Sequence, residues 1–230
     1  MPADRLSRIL AGLAAEGAGG WSSMQLCEAT RDIVDASGAG MMLMSGDLPT
    51  GSLCTTNRVS SRIAELQFIM GEGPSVDAYN ERRVVLEPDL EHPGTPRWLA
   101  FAQHAVEAGA RAVFAFPLQV GAAQLGTVDL YRDRPGPLTD QQHANALVLA
   151  SVIANWILEM QANASPGAVA EQLDHDADFH YVVHNAAGAV SVQLGISVTA
   201  ALIQLRAYAF SHNRPLRDVA QDIVARKLEF

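Results

Sequence analysis

The chain has 230 residues, 49% of them hydrophobic, enough for one large domain or two small ones with a substantial core. Its formal net charge of −9 argues against a generally basic nucleic-acid surface, and two cysteines supply neither a metal-ligand spacing nor a disulfide framework. The N-terminal stretch carries Asp4, Arg5 and Arg8 but no apolar h-region. The longest apolar run, 144–158, is interrupted by Asn145, Ser151 and Asn155 and falls short of the roughly 20 residues of a bilayer span, so a cytoplasmic protein with no membrane segment is expected.

Residues 1–36 read as two helical pieces divided by the glycine-rich 17–20. Leu6, Ile9, Leu10 and Leu13 stripe the first, and Met24, Cys27, Ile33 and Val34 the second. Cys27 and Cys54 are expected as small core hydrophobes rather than reactive thiols. Strand signals begin at 39–44. The segments 52–57 and 63–70 read as further strands, or as a strand leading into a helix. Residues 83–86 form a short β-branched run, and 97–108 reads as a helix with Leu99, Phe101, Ala102, Ala105 and Val106 available to a core. Residues 112–120 and 124–131 are the clearest strand pair, turned at Gly121, Ala122 and Ala123. Thr139 is placed to cap a long helix reaching about 161. Hairpin-linked strands mixed with helices favour an antiparallel α+β domain over a doubly wound one.

Several of these residues recur in a family order. They are Gly71, Glu72, Gly73 and Pro74, the strand Val84, Val85 and Leu86, the run 112–117 (AVFAFP), the run 126–130 (GTVDL), and the helix after Leu138 and Thr139. From about 24 to 158 this order resembles a GAF domain. The resemblance implies a sensory fold with a central antiparallel sheet, which binds a small molecule beside the sheet or serves as a dimerising scaffold. No cofactor is expected beyond an unknown small-molecule ligand. No G-x-S-x-G, P-loop or H-E-x-x-H occurs, and the cysteines do not match GAF proteins that reduce methionine sulfoxide. His92, His104 and His143 are scattered and read as surface or capping residues, so a non-enzyme is expected.

Residues 163–167 (NASPG) mark a break, after which 168–194 reads as one long helix. Leu173, His180, Ala187 and Leu194 lie seven apart, with Asp176, Val183 and Val190 between them. That heptad-like seam either packs on its own domain or aligns two copies in a parallel dimer, where His180 or His184 would make association pH-sensitive.

The C-terminal segment is punctuated as a connecting helix and two more. Gly195 stops the first, Ser197 caps the second, which ends near 212–213, and Pro215 suits the first position of the third. Leu202, Leu205 and Ala209 stripe the second helix, and Leu216, Val219, Ala220 and Ile223 the third. Asp218 lies in the first turn of the third helix, with Arg226 and Lys227 near its end, both suited to the helix dipole. Gly188 interrupts the first helix at a cost of about 1 kcal/mol relative to alanine, which reads as close helix packing or as close approach of another molecule. From Phe179 onward five cations face three anions, so this segment is mildly basic on an acidic chain.

Ala186 and Gly188, then Ala201, the Leu205–Arg206 pair, Ala209, and Asp218, Val219 and Ala220 together resemble the ANTAR family of RNA-binding antiterminator domains. Ala187 departs from the lysine often found there. The resemblance implies binding to stem-loops in nascent RNA, control of transcription termination, and a homodimer that pairs two bundles. The RNA-contact candidates are Arg206 and Arg214, with Ala187 and Gly188 allowing close approach, and Arg217 behind them. Arg206 is expected to point away from the core. The expected division is a GAF-like domain at 1–162, a linker and connecting helix at 163–178, and an ANTAR-like three-helix domain at 179–230. The rival is a non-enzymatic dimerising scaffold whose bundle docks a protein partner. Ala187 and the presence of a single lysine, Lys227, lean that way.

Overall fold

Ser22 opens the first helix described here. Its hydroxyl accepts from the Gln25 N–H while the Gln25 side chain accepts from the Ser22 N–H, a reciprocal cap that starts α1 at Ser23–Val34. The computed structural model describes residues 21–45, 48–94, 97–163, 177–212 and 214–230. The helix expected around Leu6 to Leu13 lies outside them.

A hairpin follows, β1 at Gly38–Ser45 and β2 at Leu48–Thr55. The next element is α2, Arg58–Met70, so the strand alternative for 63–70 is corrected to a helix. Asn57 and Ser60 cap each other's backbone N–H groups, and Ser60, Ile63, Ala64 and Gln67 are buried at helical spacing. A short helix not anticipated from the sequence, α3 at Pro74–Glu81, starts on a proline whose missing N–H costs nothing at a first position. Then come β3 (Val85–Glu87), α4 (Leu99–Ala108), β4 (Ala112–Val120) and β5 (Ala123–Arg132). Thr139 caps α5, Asp140–Asn163, by accepting from the Gln142 N–H at 3.2 Å.

The five strands form one antiparallel sheet in the order β2-β1-β5-β4-β3. One face is covered by α1 and α5, around Phe114, Phe116 and Leu130. The other is covered by α2, α3 and α4, around Phe101, Val113 and Tyr131. Gly126 permits the β1–β5 contact, because a Cβ there would stand 1.9 Å from the Met42 carbonyl oxygen.

By length and composition α5 is able to cross a bilayer, which the interrupted 144–158 run did not suggest. Its stripe of Ala146, Leu149, Ala150, Ile153, Ala154 and Ile157 is instead buried in the sheet core, as expected of an amphipathic core helix. Cys27 on α1 and Cys54 on β2 are both fully buried and form a disulfide. Their core placement agrees with the sequence. The bond does not, because it depends on the hairpin folding β2 back beneath α1.

The C-terminal helices are α6 (Ala177–Leu194), α7 (Val198–Ser211) and α8 (Leu216–Val224). Gly195 ends α6 in the left-handed conformation, at φ +66°. The Ser197 hydroxyl caps α7 by accepting from the Ala200 N–H at 3.1 Å. Pro215 stands one position earlier than expected, as the cap before α8. The two predicted stripes on α7 and α8 meet α6 in a common core. Val183, Ala187 and Val190 of the heptad-like seam are fully buried in that core, so this stretch of the seam packs on its own domain, while Leu194 at its end is exposed. Its upstream members Leu173 and Asp176 lie outside the described residues. The helix α6 also runs beside the edge strand β2, which brings the bundle against the sheet domain.

Candidate nucleic-acid interface

The bundle's inward residues decide what remains for a ligand. Leu202, Leu205 and Ala209 turn one face of α7 into the core. Arg206 follows Leu205 and lies at the side of that stripe, where the end of α2 enters. Its Nη2 donates to the Phe68 carbonyl oxygen, and its guanidinium carbon sits 5.8 Å from the centre of the Phe68 ring. Burial pushes the Arg206 pKa down to about 10, and its Nε is buried with no hydrogen-bond partner. The expectation that Arg206 points away from the core is therefore corrected. A long aliphatic stem beside an aromatic ring gains more by lying on it than by standing in water.

Arg214 turns back on its own domain, its Nη2 donating to Asp222 Oδ2 at 2.6 Å. The hydrogen bond to Asp222 is the main reason its pKa is raised. Arg217 is exposed on α8, and Arg226 and Lys227 are exposed just beyond its end. Ala187 is fully buried in the bundle core, so direct approach of RNA to it is excluded in this arrangement. The inward turn of α6 that buries Val183 and Val190 carries Ala187 with it.

Gly188, one residue on, is half-buried. A Cβ placed there would meet nothing within 4 Å, so helix packing does not account for the glycine. It lies in a row with Tyr181, Asn185 and Val192, spaced as on one helix face. Tyr181 is 68% exposed and Val192 84%. At the far end of α7, Tyr208 stacks on His212 with ring centres 3.9 Å apart and meets Phe230 at 5.2 Å. The structure thus divides the predicted set. Arg217 is exposed, Gly188 is half-buried beside open space, Arg214 is paired with Asp222, Arg206 is half-buried against α2, and Ala187 is fully buried. Sequence reasoning missed the exposed Tyr181 and Val192 because their type reads as core.

The sheet domain has its own polar centre. Asp129 and Thr127 of β5 point to the face covered by α2 and α3, where the Gln67 Nε2 donates to Asp129 Oδ2 at 3.4 Å and the Ser75 N–H donates to Gln67 Oε1 at 2.7 Å. Full burial pushes the Asp129 carboxyl up to about 7, only partly offset by the nearby Ser75 and Gln67 groups. Asp129 Oδ1 and Thr127 Oγ1 make no hydrogen bond. The adjoining cavity, lined by Gly40, Met41, Ser60, Ile63 and Tyr131, has room for about one water molecule.

Residues 171–224 match the family model described as "ANTAR domain". Among solved structures, the GAF domain of a phosphoenolpyruvate-protein phosphotransferase from Coxiella burnetii superposes with a TM-score of 0.53 at 14% identity, covering 70% of this chain and 96% of that one. The chain thus joins a GAF fold to a C-terminal segment that matches the ANTAR model. At this identity the structural likeness establishes the GAF fold and nothing more. A domain of a two-component sensor histidine kinase protein from Sinorhizobium meliloti aligns at TM-score 0.48 and 18% identity, over 60% of this chain and 89% of that one. The GAF domain of an Acinetobacter phosphoenolpyruvate-protein phosphotransferase aligns at 0.47 and 12%, over 70% and 95%. No curated protein matches the chain. Within this architecture Arg206, Arg214, Arg217, Ala187 and Gly188 all belong to the ANTAR domain, and Phe68, Gln67 and Asp129 to the GAF domain.

Proposed function

We propose that the chain is a non-catalytic, signal-responsive regulator, cytoplasmic and homodimeric, whose ANTAR domain binds stem-loop RNA and controls transcription termination. The match of residues 171–224 to the ANTAR family carries this reading, because ANTAR domains are RNA-binding antiterminator modules. The GAF domain supplies the input. Two observations support it further: the open backbone at Gly188, and the exposed cations Arg217 in the first turn of α8 and Arg226 and Lys227 beyond its other end. With so few cations, affinity should fall modestly and log-linearly with salt, with a slope of about −0.7 per phosphate neutralised on a single strand.

A gel shift of the full-length chain against RNAs carrying two stem-loops tests the reading, with sedimentation establishing the dimer. Absence of binding at low salt by a verified dimer overturns it. A second reading, a scaffold whose bundle docks a protein, is favoured by the exposure of Val192 (84%) and Phe210 (90%). It predicts association that is insensitive to salt and to RNA.

A further inference from the structure

The arginine expected to meet RNA is held by the GAF domain. We propose that the C-terminal end of α2 stands in for an RNA phosphate, so that the GAF domain and RNA compete for the Arg206 guanidinium. This inference rests on the RNA-binding reading above.

Chemistry at the end of α2 supports it. The last carbonyls of a helix lack intrahelical partners and carry about half a negative charge. At this end Gly71, in the left-handed conformation at φ +65°, donates its N–H to the Gln67 carbonyl, and the Phe68 carbonyl accepts from Arg206. The last turn of α2 has no basic residue of its own, so its complementary charge comes from the ANTAR domain. Gly71 also makes room for the guanidinium, since a Cβ there would stand 2.6 Å from Arg206 Nη1. Beside this contact the Phe68 ring leaves its own domain and is fully buried in the ANTAR core, edge-on to His184 at 5.8 Å.

The contact is suited to exchange. Arg206 remains cationic at neutral pH, yet its Nε is buried unpartnered, and no ion pair among the described residues includes it. A phosphate offers two parallel, charge-assisted acceptors where α2 offers one neutral carbonyl. Ile203 and Phe210, one turn before and after Arg206, are 57% and 90% exposed, so the docked patch on α7 is narrow. Gln67, next to Phe68, ties this end of α2 to Asp129 and Ser75 inside the GAF domain. A change at that buried polar centre is thereby positioned to alter how α2 presents itself to Arg206.

The test uses the full-length chain and a pool of fluorescent two-stem-loop RNAs with randomised loops, at low salt. Two substitutions of GAF-domain residues release the contact while leaving every ANTAR residue in place. Phe68→Ala removes the buried ring. Gly71→Asn keeps a residue type that tolerates the left-handed conformation but drives its side chain into Arg206. Each is expected to tighten RNA binding about 10- to 100-fold, the equilibrium cost of undocking one buried aromatic. Adding Arg206→Ala to Phe68→Ala should then weaken binding about 5- to 150-fold. In the wild-type chain, RNA should speed amide exchange at residues 68–72.

If wild type and both release variants bind equally, or if RNA leaves exchange at 68–72 unchanged, competition is overturned while the RNA-binding reading stands. If Arg206→Ala is silent in the released background, Arg206 is not the shared group and the proposal falls. If none of the folded proteins binds, the RNA-binding reading itself falls and takes this inference with it. Gly71→Asn keeps the test decisive should Phe68→Ala weaken the bundle.

Discussion

The two domains are held together by different materials. The GAF core is built on a five-stranded sheet and buries Phe101, Phe114, Phe116, Leu118 and Met41 completely, with a disulfide inside it. The ANTAR core is built on three helices of 18, 14 and 9 residues and relies on alanines such as Ala186, Ala187, Ala201 and Ala220. Small side chains let helices approach closely but remove little apolar area from water. In that cluster the one fully buried aromatic is Phe68, which the GAF domain contributes. The difference teaches that one domain carries its own stability, whereas the other completes its core with a neighbour's side chain. An output domain built this way is able to respond when the neighbour moves.

The comparison can be broken most strongly at Phe114. Phe114→Ala should cost the GAF domain about 3–5 kcal/mol, read from denaturation followed by tryptophan fluorescence, because Trp21, Trp98 and Trp156 all lie in the GAF half of the chain. Loss of less than about 1 kcal/mol would show that this core is not the stable one.

Raising the pH should come next. In the folded chain the Asp129 carboxyl holds its proton up to about pH 7, whereas its ordinary value is 3.8. The native state therefore binds an extra proton between those values, and stability falls as pH rises through that window and levels off above it. The drop should be on the order of 4 kcal/mol, and Asp129→Asn should flatten it. A pH-independent wild type, or an unchanged profile in the variant, would contradict the assignment.

Reduction of the Cys27–Cys54 bond, or replacement of both cysteines by alanine, should lower GAF stability by about 2–4 kcal/mol. Helix signal from the ANTAR domain should persist under those conditions. The smallest effect is expected at the α7 cap. Ser197→Ala should cost about 1 kcal/mol and lower helicity without moving the tryptophan transition. If that transition moves as well, the two domains unfold as one unit and the contrast between them collapses.

Much of the GAF sheet was legible because β4 and β5 form a hairpin whose turn residues and alternation are local. Helix α2 was harder to read. Ile63, Leu66 and Phe68 suit either a strand or a helix by composition, and they divide among separate cores once the chain folds. The candidate interface was legible only as a set of cations near one another in sequence. No local signal distinguishes Arg217, which is exposed, from Arg206, which is drawn onto the carbonyl of a residue 138 positions away.

The sequence by itself determined the β4–β5 hairpin, the caps at Thr139 and Ser197, the stop at Gly195, and the apolar stripes of α7 and α8. These depend on hydrogen bonds and side-chain periods that span a few residues. Only the tertiary structure decided the Cys27–Cys54 bond, the inward turn of Ala187, the buried carboxyl of Asp129 and the docking of Arg206 on α2. Each of those depends on which distant surface arrives beside it, and hydrophobic burial, which is non-directional, brings such surfaces together without leaving a local mark in the chain.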